Sequence, residues 1–308
     1  MNSINEITTT IGESPIWKTS SQSIIWVDAA GTDIYEYFIN NGQINHFKTP
    51  FDITAIVPCD NDHWICASKQ GLFYSSPSFD SFSLIENPFM HSPQLHMNDA
   101  VASPNGHLWF GSMNCEELES PDGKLFQLNN NSILEMDREF SVANGICFNQ
   151  HLKRAYCSNM FQRKVYEYQL DESMTHILDK KIFVEFRSHE GLPDGLCADK
   201  YGNVYICHWD AGIISYYMPS PTRIGSAKKL GDIELPVKHA TRCTFGGKYF
   251  DSLFVTTANY GLTQTEANLS PQSGQLFILD APTKGNAEFR LISTLLPMKS
   301  TNTQALTS

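Results

Sequence analysis

Glu13, Asn98, Asn144 and Asp194 are strong oxygen donors that share one phase of a repeating pattern. Each stands at the start of a similar unit: a polar step, a short apolar stretch, a turn, an aromatic strand and a second aromatic strand. Two further units carry Thr54 and Thr241-Arg242 at that phase. Two carboxylates and two amides, with no thiol or imidazole at the same phase, suit a hard cation. Ca²⁺ comes first, Mg²⁺ or Mn²⁺ next. Glu13 and Asp194 in one narrow site would raise each other's pKa unless a cation intervened. A purely structural position would more often be apolar, because an unpaired buried carboxylate is costly. Taken singly, Asn98, Asn144 and Asp194 read as turn starters, since Asn-Asp and Asp-Gly steps do this routinely. At matching phase in four units, the set reads as a metal site.

The elements that must position these residues follow from the repeat. Unit starts fall near 13, 54, 98, 144, 194 and 241, in steps of 41, 44, 46, 50 and 47 residues. A period of about 40–50 residues, built of short aromatic strands and Gly/Asn/Asp turns, is a β-propeller pattern. Six units predict an all-β, six-bladed propeller over residues 1–308 as a single domain. A β-sandwich has no reason to repeat one strand order six times. The first strand of each blade lines the central channel, so equivalent positions meet around one axis. No long 3.6-residue apolar period occurs, so no sizeable helix is expected. Residues 4–9 are β-prone and are expected to close the ring on the last blade, near 288–296, covering an exposed edge. The Ser/Thr-rich tail from about 297 is expected to be peripheral.

Composition excludes several function classes. The 308 residues are 41% apolar and 18% charged, with a net charge of −11. That is globular composition, not disorder. The acidic balance argues against binding to nucleic acid or an anionic membrane. No apolar run approaches the roughly 20 residues of a membrane span. The N-terminus lacks the basic and apolar regions of a secretory signal, so the expected location is the cytoplasm. Eight scattered cysteines, none in C-x-x-C, read as reduced, buried thiols that pack the core. There is no G-x-S-x-G and no phosphate loop, and His189-Glu190 fails as a zinc motif because position 193 is Pro.

At this point the chain resembles the regucalcin/gluconolactonase family, which includes luciferin-regenerating-type proteins. Gly12-Glu13-Ser14-Pro15-Ile16-Trp17 is similar to the family's opening motif. Asn98-Asp99, then Pro104-x-Gly106 and Trp109-x-Gly111-x-Met113, resembles its central motif. Asn144-Gly145, Pro193-Asp194-Gly195 and Phe245-Gly246-Gly247 resemble the later ones. The resemblance spans nearly the whole chain and implies the same six-bladed propeller. It implies one divalent ion in the channel, held by Glu13, Asn144 and Asp194; the oxygen donors put Ca²⁺ first, with Mg²⁺, Mn²⁺ or Zn²⁺ as alternatives. Asn98 would bind substrate beside it, Asp194 would be the general base, and Glu116 would be a substrate-binding carboxylate on a lid loop. Glu116 reads equally as an exposed loop acid.

The implied activity is metal-dependent hydrolysis of a small-molecule lactone, a sugar lactone by analogy. An esterase or phosphotriesterase on the same metal, or a non-catalytic calcium-binding protein, are the alternatives. Substrate selection is expected from loops 86–97, 114–122 and 187–193. The chain departs from the family pattern at His96, where Arg is common, and at Ala100, Ser103 and Asn159. His96 is expected to bind substrate with Asn98 and Glu116 by orienting its hydroxyls, and the change from Arg bears on the substrate rather than the metal, because His cannot offer the bidentate fork of Arg.

Overall fold

A computed structural model describes residues 1–129 and 132–297; the expected peripheral tail beyond 297 lies outside them. The described chain forms six antiparallel sheets of four strands each. The innermost strands are Gly12–Lys18, Ala55–Pro58, Leu95–Ala102, Ala143–Asn149, Leu192–Ala198 and His239–Gly246, here blades 1 to 6. Each inner strand packs against the next, and that of blade 6 returns to blade 1, so the sheets form a six-bladed β-propeller.

The aromatic phase of the repeat explains how the blades stack. Trp26, Trp109, Tyr156, Tyr205 and Phe254 lie on the second strands of blades 1, 3, 4, 5 and 6, and all are fully buried. Each large ring fills the wedge between radiating sheets, where burial of apolar area drives packing. Trp17 of blade 1 stacks on Phe254 of blade 6, with ring centroids 5.1 Å apart, which ties the first blade to the last. Seven of the cysteines are buried among these side chains and Cys115 is exposed.

Ring closure differs from the sequence-based expectation. Asn2–Ile4 adds the outer strand of blade 6 by pairing with Leu276–Asp280, Ile4 opposite Leu276 and Asn2 opposite Ile278. Residues 288–296 do not take part. They run back across the channel end, where Leu291 bridges Cys59 and the Ile292 N–H donates to the Gly106 carbonyl. The apolar run of Leu276–Asp280 supplies the edge that needs covering, whereas Phe289 and Leu291 pack into the core of blades 2 and 3. Among the described residues the one α-helix is Gln264–Leu269, capped by Thr263 and Glu266. No helix there is long and apolar enough to cross a membrane.

Candidate metal centre

Five of the six inner strands carry a β-bulge at the phase of the oxygen donors. The register shifts fall between Glu13 and Ile16, Met97 and Ala100, Asn144 and Cys147, Pro193 and Leu196, and Ala240 and Arg242. Blade 2, with Thr54 just outside its inner strand, runs without one. A bulge bends a strand and re-aims a side chain. The Asn-Gly and Asp-Gly steps are therefore parts of bulged strands, not turns. At Gly145, φ is +58°, and an added Cβ would stand 2.2 Å from the Asp194 carbonyl oxygen. At Gly195 it would stand 2.6 Å from the Thr241 carbonyl. Only glycine lets the inner strands of blades 4, 5 and 6 approach this closely.

Glu13, Asn144 and Asp194 come together at this end of the channel. The Asn144 Nδ2 donates to Asp194 Oδ1, and Asn144 Oδ1 accepts the Gly145 N–H at 2.8 Å. Asp194 is 3% exposed, and its carbonyl accepts the Ser158 hydroxyl at 2.8 Å. Burial pushes the Glu13 carboxyl up to about 8, with Asp99 adding to the rise and Arg242 opposing it. Burial pushes Asp194 up strongly too, and the charges of Glu13 and Asp99 push the same way.

A second layer lies behind this set. Asp99 Oδ2 accepts from Arg242 Nη1 and from the Ile146 N–H, and Asp99 Oδ1 accepts from the Ala100 N–H. Both partners of this ion pair are buried. Four carboxylates, Glu13, Asp99, Asp194 and Glu288, thus act on one guanidinium, an excess of three negative charges when all are ionised. A divalent cation beside Glu13 and Asp194 would offset two of those charges. Asp99 is fully engaged, so the donors with lone pairs to spare are the carboxylates of Glu13 and Asp194 and the amide oxygen of Asn144, each of which accepts a single hydrogen bond. Among the described residues no three His, Cys, Asp or Glu side chains converge on one point. A set of two carboxylates and an amide fits a hard cation and not a soft one. The Asp99–Arg242 pair was not singled out from sequence. Its signal was an acid beside Asn98 and the single basic side chain at the channel phase.

The other candidate residues surround this set without joining it. Asn98, half-buried on the bulge of blade 3, makes no side-chain hydrogen bond among the described residues. His96 is buried two residues earlier, and its Nδ1–H donates to the Met97 carbonyl at 3.0 Å. Burial lowers its pKa, and the charges that act on it are Lys69 and Asp52. At neutral pH it is therefore an uncharged imidazole with Nε2 free to accept, and it supplies no substitute for an Arg charge. Glu116 is exposed on the loop after Leu108–Asn114, where its N–H donates to Asn114 Oδ1 at 3.0 Å. The segments 86–97, 114–122 and 187–193 precede inner strands or link second to third strands, which places them at the same end of the channel as Asp194.

The raised carboxyls have a consequence for stability. In the metal-free folded state burial raises both carboxyls, Glu13 to about 8, above the ordinary values of 4.5 for Glu13 and 3.8 for Asp194 that hold in the unfolded chain. The folded state then binds more protons between pH 4.5 and about 8, so stability falls as pH rises through that window. Chelator-treated protein is expected to lose on the order of a few kcal/mol from pH 5 to pH 8. A saturating divalent cation should flatten the slope. A melting temperature independent of pH over that range would contradict the arrangement.

Residues 11–259 match the family described as the SMP-30/gluconolactonase/LRE-like region. The chain belongs to this family. It is 27% identical to the Bacillus subtilis protein YvrE, assigned by name as a sugar lactone lactonase, over 89% of this chain and 92% of that one. It is 26% identical to the pentonolactonase XacC of Haloferax volcanii, over 91% and 94% of the two chains. The fold is that of a regucalcin from Agrobacterium tumefaciens, a calcium-binding protein, with a TM-score of 0.86 at 22% identity over 94% and 96% of the chains. Family membership agrees with the motifs around Glu13, Asn98, Asn144 and Asp194.

Proposed function

We propose that this SMP-30/gluconolactonase/LRE-like protein is a metal-dependent hydrolase that opens the lactone ring of a sugar acid. The observation that carries the reading is the unbalanced, desolvated pair Glu13 and Asp194 at one end of the channel. The lactone is supported by similarity along about nine-tenths of the chain to two proteins named as lactonases. Glu13, Asn144 and Asp194 would hold the ion, with calcium first because the regucalcin neighbour is a calcium-binding protein. When bound, the cation supplies Lewis-acid polarisation of the carbonyl and lowers the pKa of water.

The chain's own residues do the rest. Asp194, ionised once its charge is balanced, takes the proton of the attacking water at its carboxylate and later returns it to the ring oxygen. Arg242 holds Asp99 in place and keeps the second layer from adding a further uncompensated charge. Asn98 has donors and an acceptor free for substrate hydroxyls, and His96 Nε2 accepts one more. Glu116, free of contact with the carboxylates, would reach substrate only from the loop above.

A panel of aldonolactones, simple aryl esters and a phosphotriester, followed by acid release, tests the substrate class. Aldonolactones are expected to turn over at least ten times faster than the aryl esters. A preference for the aryl ester or the phosphotriester would replace the lactone reading with an esterase or phosphotriesterase one. Tight metal binding without turnover of any of them would favour a calcium-binding role, which the exposed position of Glu116 also suits.

A further inference from the structure

The opposite end of the channel holds chemistry that the carboxylate site does not use. A cavity of about 410 Å³ opens there, lined in part by Cys147, Cys197, Arg242, Glu288 and Phe289. Cys197, on the inner strand of blade 5, faces Cys243 on the inner strand of blade 6, and their sulfurs are 3.4 Å apart. Cys207 is a third sulfur hydrogen-bonded to Cys243. These thiols belong to neighbouring blades, so a bond between them would cross a blade interface.

We propose that Cys197 and Cys243 form an oxidisable dithiol, reached by a hydroperoxide through this cavity, that closes to a disulfide between blades 5 and 6. Three observations carry it. The sulfurs are already in contact, so closure asks for small side-chain rotations rather than strand movement. Cys197 lines the cavity, whereas Cys243 is fully buried behind it. Within the pair Cys243 is the more acidic thiol, because burial holds Cys197 up. Hydrogen bonds from Cys197 and Cys207 lower the Cys243 thiol, and the neighbouring Arg242 guanidinium lowers it further.

The chemistry closes without a further reactant. The Cys243 thiolate takes the proton of Cys197 as the Cys197 sulfur attacks the peroxide O–O bond. An S–O bond forms, the O–O bond breaks, and the distal oxygen leaves as hydroxide or alkoxide. Cys243 then attacks the sulfenic sulfur of Cys197. The S–S bond forms, the S–O bond breaks, and water leaves with the Cys243 proton. Two thiols are oxidised and one hydroperoxide is reduced.

The test uses the full chain carrying Cys115→Ser, which removes the exposed thiol and leaves seven. Folded protein is treated with a small excess of hydrogen peroxide, alkylated, and digested with trypsin without reduction. The expected result is a fall from seven free thiols to five and a linked pair of peptides, Ser188–Lys200 with Cys243–Lys248. Cys207→Ser should keep this link, and Cys197→Ser should abolish it. Seven thiols surviving in the folded protein, while the same treatment oxidises them in urea, would overturn the proposal. So would a link from Cys243–Lys248 to the Cys207 peptide, Tyr201–Arg223, in place of the expected one.

Discussion

Asp194→Ala is expected to lower lactone turnover by about 10³-fold or more, without unfolding the protein. Loss of a general base alone costs about 10²–10⁴ in rate, and Asp194 is also one of the proposed metal ligands. The carboxyl is desolvated and repelled by Glu13 and Asp99, so it opposes the metal-free fold rather than holding it together. The melting temperature of the metal-free variant should match or exceed that of the parent. Asp194→Asn keeps the shape and the Asn144 contact but removes the base, and should be nearly as inactive. Steady-state kinetics with a thermal melt on the same samples separates the two effects. An Asp194→Ala protein that keeps a tenth of its activity would remove Asp194 from the chemistry.

Asp99→Ala should produce the largest loss of stability. It strips Arg242 of its buried counter-ion and leaves the Ile146 and Ala100 N–H groups without their acceptor. Breaking a buried pair by removing one partner costs about 3–5 kcal/mol. For a chain of this size that corresponds to a fall in melting temperature of roughly 10 °C. Arg242→Met should cost a similar amount, since Asp99 would then face Glu13 and Asp194 unbalanced. The double variant should lose much less than the sum of the singles, because neither charge is left stranded. Denaturant unfolding of all four proteins measures the coupling. Additive losses below about 1 kcal/mol each would mean that the pair is not a structural unit.

Much of this was legible in the sequence because a propeller writes its architecture as a period. The phase of Glu13, Asn144 and Asp194 placed three donors on inner strands before any contact was known, and the aromatic phase from Trp26 to Phe254 marked the second strands. What escaped depended on partners chosen in three dimensions. Leu276–Asp280, not 288–296, takes the N-terminal strand, because edge pairing depends on which strand is left open. The bulges at Glu13, Asn144 and Asp194 recur at the phase of the repeat, but the Asn-Gly and Asp-Gly steps among them read equally as turns. Asp99 needed Arg242, 143 residues away, to show that it is a counter-ion rather than a turn acid. The neutrality of His96 follows from its burial, which a motif does not carry.

The most direct measurement strips divalent ions from the protein with a chelator, removes the chelator, and assays aldonolactone hydrolysis before and after adding Ca²⁺, Mg²⁺, Mn²⁺ or Zn²⁺. The account predicts almost no turnover in the stripped protein and recovery with at least one ion. The same additions should fail to restore the Asp194→Ala variant. Full lactone turnover by protein shown to be free of divalent ions would contradict the account at its centre, because Glu13 and Asp194 would then have some other reason to be buried together.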